Sequence, residues 1–154
     1  MSVLIQGDQL RTIALGVRVD RTAAVLPATT QSAIFTVATG RVVVTALVGE
    51  VTTVCSGTAT TLKVTSNPTT GTDVDLTSTT AVTSKEVGSL VTLPLTLGGA
   101  LNVQSAGAGE IPGAVGFVVP IGTIDLVTSA TNTGALKWTI FYYPLDNGAT
   151  ITAA

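Results

Sequence analysis

An all-β chain, folded as a single antiparallel sandwich or jelly-roll-like domain behind a short N-terminal arm, is what three features of this sequence predict. The first is the run from Ala33 to Val54, in which nearly every position is β-branched, aromatic or small and apolar; such residues fit a pleated, half-buried surface better than a helix. The second is period-two alternation of apolar and polar residues in several separate segments, the mark of a strand with one face on a core. The third is a regular punctuation by Gly, Pro, Asn and Thr clusters every eight to twelve residues or so, the spacing of short strands in sandwiches and barrels. At 154 residues the chain is long enough for one domain with a substantial core.

The elements follow in order. Residues 1–9 read as an arm or short edge strand, leaving 10–154 as the domain. Leu10 to Asp20 alternates, with Ile13, Leu15, Val17 and Val19 on one side, and predicts a half-buried strand. Arg21 to Gln31 contains Pro27 and reads as a crossing loop, with a helical turn at most over Thr22–Leu26. Val42 to Val48 is apolar on both faces apart from Thr45, which suits a central strand with something packed on each side. Thr60–Ser66 and Thr72–Leu76 flank Asn67-Pro68-Thr69-Thr70-Gly71 and predict a hairpin, with Leu62, Val64, Val74 and Leu76 inward.

In the second half, Ser89–Leu97 places Val91, Leu93, Leu95 and Leu97 on one face, and Pro94 marks it as an edge strand or a bulge. Ala100–Gln104 is a weaker strand, and Ser105–Gly113 a loop. Val115–Ile121 and Thr123–Val127 follow as strands. Leu136–Tyr143 is the last long strand and carries the only Trp and both Tyr residues; a short strand, Ala149–Thr152, closes the chain. No segment carries a well-capped helical pattern.

Composition narrows the function classes. Charged residues make up only 10% of the chain and hydrophobic residues 45%, against roughly 25% charged in an ordinary soluble protein. This combination predicts a subunit whose surface is largely covered, by copies of itself or by a larger assembly. A net charge of −2 and the absence of any basic run argue against nucleic acid as a partner. No stretch has the shape of a signal peptide or a membrane helix.

Candidate chemistry is thin. There is no histidine, which removes Ser-His-Asp and Cys-His nucleophile pairs and the usual zinc sites. Cys55 is the only cysteine and reads as a small core residue. Asp73 and Asp75, two apart on a strand, point to one side; calcium is conceivable there, but two solvated charges beside a turn is the favoured reading. Gly107–Gly113 lacks the spacing of a phosphate-binding fingerprint. Tyr142 and Tyr143 are adjacent in a strand, so they face opposite ways and make no flat carbohydrate platform. The expectation is a protein that is not an enzyme, with no catalytic residues, no cofactor and no metal.

The runs Thr39–Val51, Ala59–Val64 with Asn67–Leu76, and Gly134–Thr139 with Pro144–Thr150 resemble small virion proteins of tailed phages that infect actinobacteria. The resemblance spans most of the chain after Thr36 and consists of sheet and turn patterns, not chemical motifs. It implies a capsid decoration protein, made in the host cytoplasm, that sits on the capsid surface as a homotrimer and stabilises the lattice of the major capsid protein. Within that role Val3, Leu4 and Ile5 of the arm are the candidate capsid or subunit contacts. A tail or baseplate component or receptor-binding tip is the alternative, and a carbohydrate-binding β-sandwich module the weaker one.

Overall fold

The computed structural model describes residues 5–111 and 116–154. Among them it contains one helix, α1 (Gly7–Leu15), and strands β1 (Val17–Val25), β2 (Gln31–Ala38), β3 (Val42–Thr53), β4 (Thr61–Pro68), β5 (Val74–Asp75), β6 (Thr80–Ala81), β7 (Leu90–Thr92), β8 (Asn102–Gln104), β9 (Phe117–Val119), β10 (Gly122–Thr128), β11 (Ala135–Pro144) and β12 (Thr150–Ala153). They form two six-stranded sheets. One runs β1-β11-β3-β7-β8, with β9 also on β3; the other runs β12-β2-β10-β4-β5, with β6 also on β4. The strand pairings within both sheets are antiparallel. The chain is an all-β sandwich.

Alternation explains the core. Leu136, Trp138, Ile140 and Tyr142 of β11 and Val42, Val44, Leu47 and Val51 of β3 face inward from the first sheet. Phe35, Leu62, Val64, Ile124 and Leu126 meet them from the second. The expectation for β3 holds on both faces: Val43 and Ala46 point away from this core and are nevertheless buried, as is Phe141 on β11. A bulge at Thr45 accounts for the change of phase, since Ala46 pairs with Phe141 but Val44 with Tyr142, leaving Thr45 as the extra residue. The expected hairpin around Asn67–Gly71 is present, with Thr65 opposite Asp75 and Ser66 opposite Val74.

Several local expectations are corrected. Leu10–Asp20 is not one strand: Gly7–Leu15 is helical, and the strand starts at Val17 and runs through the presumed loop to Val25. The predicted arm is affected too, because residues 7–9 are the first turn of α1. The apolar positions 10, 13 and 17 satisfy a helical period as well as 13, 15, 17 and 19 satisfy a strand period, so the pattern is ambiguous. Gly16 resolves it. Its φ of 95° ends the helix, and a Cβ there would lie 2.2 Å from the Tyr142 carbonyl oxygen, so only glycine turns the chain this close to β11.

The Ser89–Leu97 strand is shorter than expected, and it is no edge. β7 covers Leu90–Thr92 and lies between β3 and β8. Beyond Leu93 the chain leaves the sheet: Pro94 has no N–H to give, and instead the Gly98 N–H donates to the Leu76 carbonyl and the Ser78 N–H to the Gly99 carbonyl. Leu95 and Leu97 are consequently exposed. Val74, expected inward, is also exposed, whereas Leu76 is buried as expected.

Candidate docking surface

The charged and polar side chains singled out from sequence are tied into structural pairs. Asp75 receives the Lys63 ammonium at 2.7 and 2.8 Å and the Thr65 hydroxyl at 3.0 Å. The lysine first, then the threonine, holds its carboxyl below the usual range. Asp73 accepts from Gln31 Nε2 at 3.0 Å, and the same amide reaches Asp125 Oδ2 at 2.7 Å. Asp125 is buried and also accepts from Asn67 Nδ2 at 3.0 Å. The outer face of the second sheet therefore carries side-chain networks, and the two aspartates, exposed beside the turn as expected, are hydrogen-bonded within them. Asp125 and its amide partners were not legible in sequence, because they meet only across β2, β10 and β4. Among the described residues no group of three or more Asp, Glu, Cys or His side chains is placed to hold a metal ion.

Glu50 pairs with Lys137 at 2.8 Å. Asp20 accepts from Thr139 Oγ1 at 2.6 Å and Arg18 Nε at 2.9 Å. These groups share the outer face of the first sheet and make one half of it polar. Cys55 is fully buried, and burial pushes its thiol pKa up; this is a core residue, as expected, and not a poised nucleophile. Tyr142 is buried and Tyr143 half exposed, facing opposite ways as the strand period requires.

The other half of that outer face is apolar, and it is the most distinctive surface among the described residues. α1 has no buried residue. Its Leu10 and Ile13, three apart and so on one side of the helix, are 60% and 75% exposed. The helix starts with the Gln6 N–H donating to Gln9 Oε1 at 3.0 Å, the return half of a capping box. Ile5, just before that cap, is 60% exposed. At its other end α1 is tied to the sheet through the bulge, where the Thr45 hydroxyl reaches the carbonyl oxygens of Leu15 and Phe141.

Beside the helix lies Tyr143, and beyond it an open groove of about 450 Å³ lined by Leu95, Thr96, Leu97, Gly116, Phe117 and Val118. Gly116 links the two parts, since it also borders the depression of about 300 Å³ between Ile13, Leu15 and Tyr143. Its backbone lies directly on Val43; an added Cβ would be 2.3 Å from Val43 Cγ1.

The comparisons with known proteins add no assignment. Neither protein-family models, curated proteins nor solved structures match this chain.

Of the expected contact residues, Val3 and Leu4 lie outside the described residues, and Ile5 sits at the start of the helix that carries the apolar surface. The arm expectation missed the helix, whose first turn takes in residues 7–9. Asp8 in the first turn and Gly16 after the last were the available signals for a helix. No helix among the described residues is long and apolar enough to cross a membrane.

Proposed function

We propose that this chain is a non-enzymatic virion structural protein of a tailed phage, a capsid decoration protein that binds the outer lattice of the major capsid protein as a homotrimer and stabilises it. The observation that carries this reading is the apolar half-face formed by Leu10 and Ile13 of α1, Tyr143 and the Leu95–Leu97–Val118 groove. A face of that kind marks an interaction surface, and in a chain with 10% charged residues there is little surrounding charge to keep it apart from partners. The resemblance of the sheet and turn runs to actinobacterial phage virion proteins supports the same role. The carbohydrate-binding alternative is disfavoured, because five of the six aromatic side chains are buried and Tyr143 stands alone at the surface.

The test is to add purified protein to undecorated capsids and, separately, to isolated tails, measuring occupancy by electron microscopy and capsid melting by calorimetry. Regular density on the capsid exterior and a raised capsid melting temperature are expected. Labelling of tails with bare capsids would move the assignment to a tail or baseplate component. Binding to neither would remove the virion role.

A further inference from the structure

We propose that the apolar half-face is a contact between copies of this chain, in which the Leu10–Ile13 ridge of α1 from one copy seats in the Leu95–Leu97–Val118 groove of the next. The inference deepens the proposed function, since it names the subunit contact of the oligomer, and it rests on the reading of the chain as an assembly subunit. It does not depend on the capsid being the target.

The two halves are complementary in kind. One is a convex helical ridge and the other an open groove of about 450 Å³ whose lining holds no charged side chain. They lie on the same flank but do not fill each other, because Leu10 and Ile13 remain mostly exposed while Leu95, Leu97 and Val118 remain more than half exposed. What a chain cannot satisfy internally, a second copy can.

Area supports a copy as the occupant. Leu10, Ile13, Leu95, Leu97, Val118 and Tyr143 together expose on the order of 600 Å² of apolar surface, the upper end of what a monomer leaves in one patch. A second copy seated on this flank would cover that patch. At the ordinary apolar share of an interface this corresponds to roughly 1,000 Å² buried in all, the threshold for a specific contact.

Composition points the same way. Transient interfaces are about as polar as the general surface, whereas permanent homo-oligomer contacts are depleted in charge. A nine-residue helix with no buried residue is too short to be stable by propensity alone, so permanent cover suits it better than an occasional partner. A ridge-to-groove contact on one flank closes either as a two-fold pair, each ridge in the other copy's groove, or as a head-to-tail ring such as a trimer.

The experiment measures mass in solution by light scattering after gel filtration, for wild type, Ile13→Asp and Val118→Asp. Both positions are exposed, so both variants are expected to keep the wild-type circular dichroism and melting behaviour of the monomer fold. The expected result is a closed wild-type oligomer and two monomeric variants. An equimolar mixture of the variants is expected to form a heterodimer, because the intact ridge of the Val118→Asp chain meets the intact groove of the Ile13→Asp chain. A monomeric wild type at about 100 μM, an oligomer that survives both substitutions, or a mixture that stays monomeric would each overturn the contact. A wild-type oligomer that ignores capsids would leave the contact standing and remove the capsid reading; a monomer that decorates capsids would do the reverse.

Discussion

Gly49 lies directly opposite Trp138 across the β3–β11 pair, and the indole ring occupies the space where a side chain at Gly49 would stand. A Cβ there would fall 2.6, 2.8 and 2.9 Å from three ring carbons. The glycine is therefore a packing requirement of the largest fully buried side chain in the core, and the ring covers the backbone the glycine leaves bare.

Gly49→Ala is expected to destabilise the fold by about 1–3 kcal/mol through overpacking, and Trp138→Ala by about 3–5 kcal/mol through the cavity it leaves. Because the two side chains compete for one space, the double variant should fall short of the sum. Urea unfolding of the four-member cycle measures this; strict additivity would show that ring and glycine do not share the space.

Asn132 is buried and ties three segments together. Its Oδ1 accepts from the Ser56 and Gly134 N–H groups at 2.9 Å each, and its Nδ2 donates to Thr60 Oγ1 at 3.0 Å. Asn132→Ala strands two backbone donors, at an expected cost of about 2–4 kcal/mol. Amide hydrogen exchange should show early loss of protection at Ser56 and Gly134, while the β3–β11 ladder changes only with global stability.

Cys55 should resist thiol reagents in the folded protein. Its Sγ is buried, and burial raises the thiol pKa, so the thiolate fraction at pH 8 falls below that of a free cysteine. Reaction is expected only on unfolding. Cys55→Ser places a hydroxyl in the same apolar site and should cost about 1–3 kcal/mol, more than Cys55→Ala. Rapid labelling of native protein would show that the site opens.

Arg41 and Asp146 join the β2–β3 turn to the β11–β12 turn. The guanidinium donates from Nε and Nη2 at 2.9 Å each, and the Arg41 backbone N–H adds a third bond at 2.8 Å. The Arg41 side chain, then its backbone, lowers the Asp146 pKa to about 2. The folded value lies below the ordinary value of about 3.9, so the stabilisation is fully present above pH 4 and is lost as pH falls through about 2. Wild type and Asp146→Asn should differ in melting temperature by a constant amount above pH 4, converging toward pH 2. Both groups are exposed, so added salt should narrow the gap. A gap that persists unchanged at pH 2 would assign it to shape and not to charge.

The sequence by itself determined that this chain makes sheets and which residues of β3, β4 and β11 form their core, because burying one face of a strand imposes period-two alternation that survives as a written pattern. It also determined the shortage of charge. Tertiary structure decided the rest. Residues 10–15 carry apolar positions compatible with both periods, and α1 buries none of them, so no core stripe marks the helix; Gly16 against Tyr142 and the Thr45 bulge against Leu15 settle it. Leu95 and Leu97 alternate in phase with Val91 and Leu93, yet they leave the sheet because Pro94 ends the ladder and Gly98 and Gly99 are hydrogen-bonded to the Leu76–Ser78 segment. The Asp125 lattice and the apolar half-face exist only where distant strands come together. Alternation records which way a side chain points from its own strand, but not whether anything stands opposite, and that is a property of the folded chain alone.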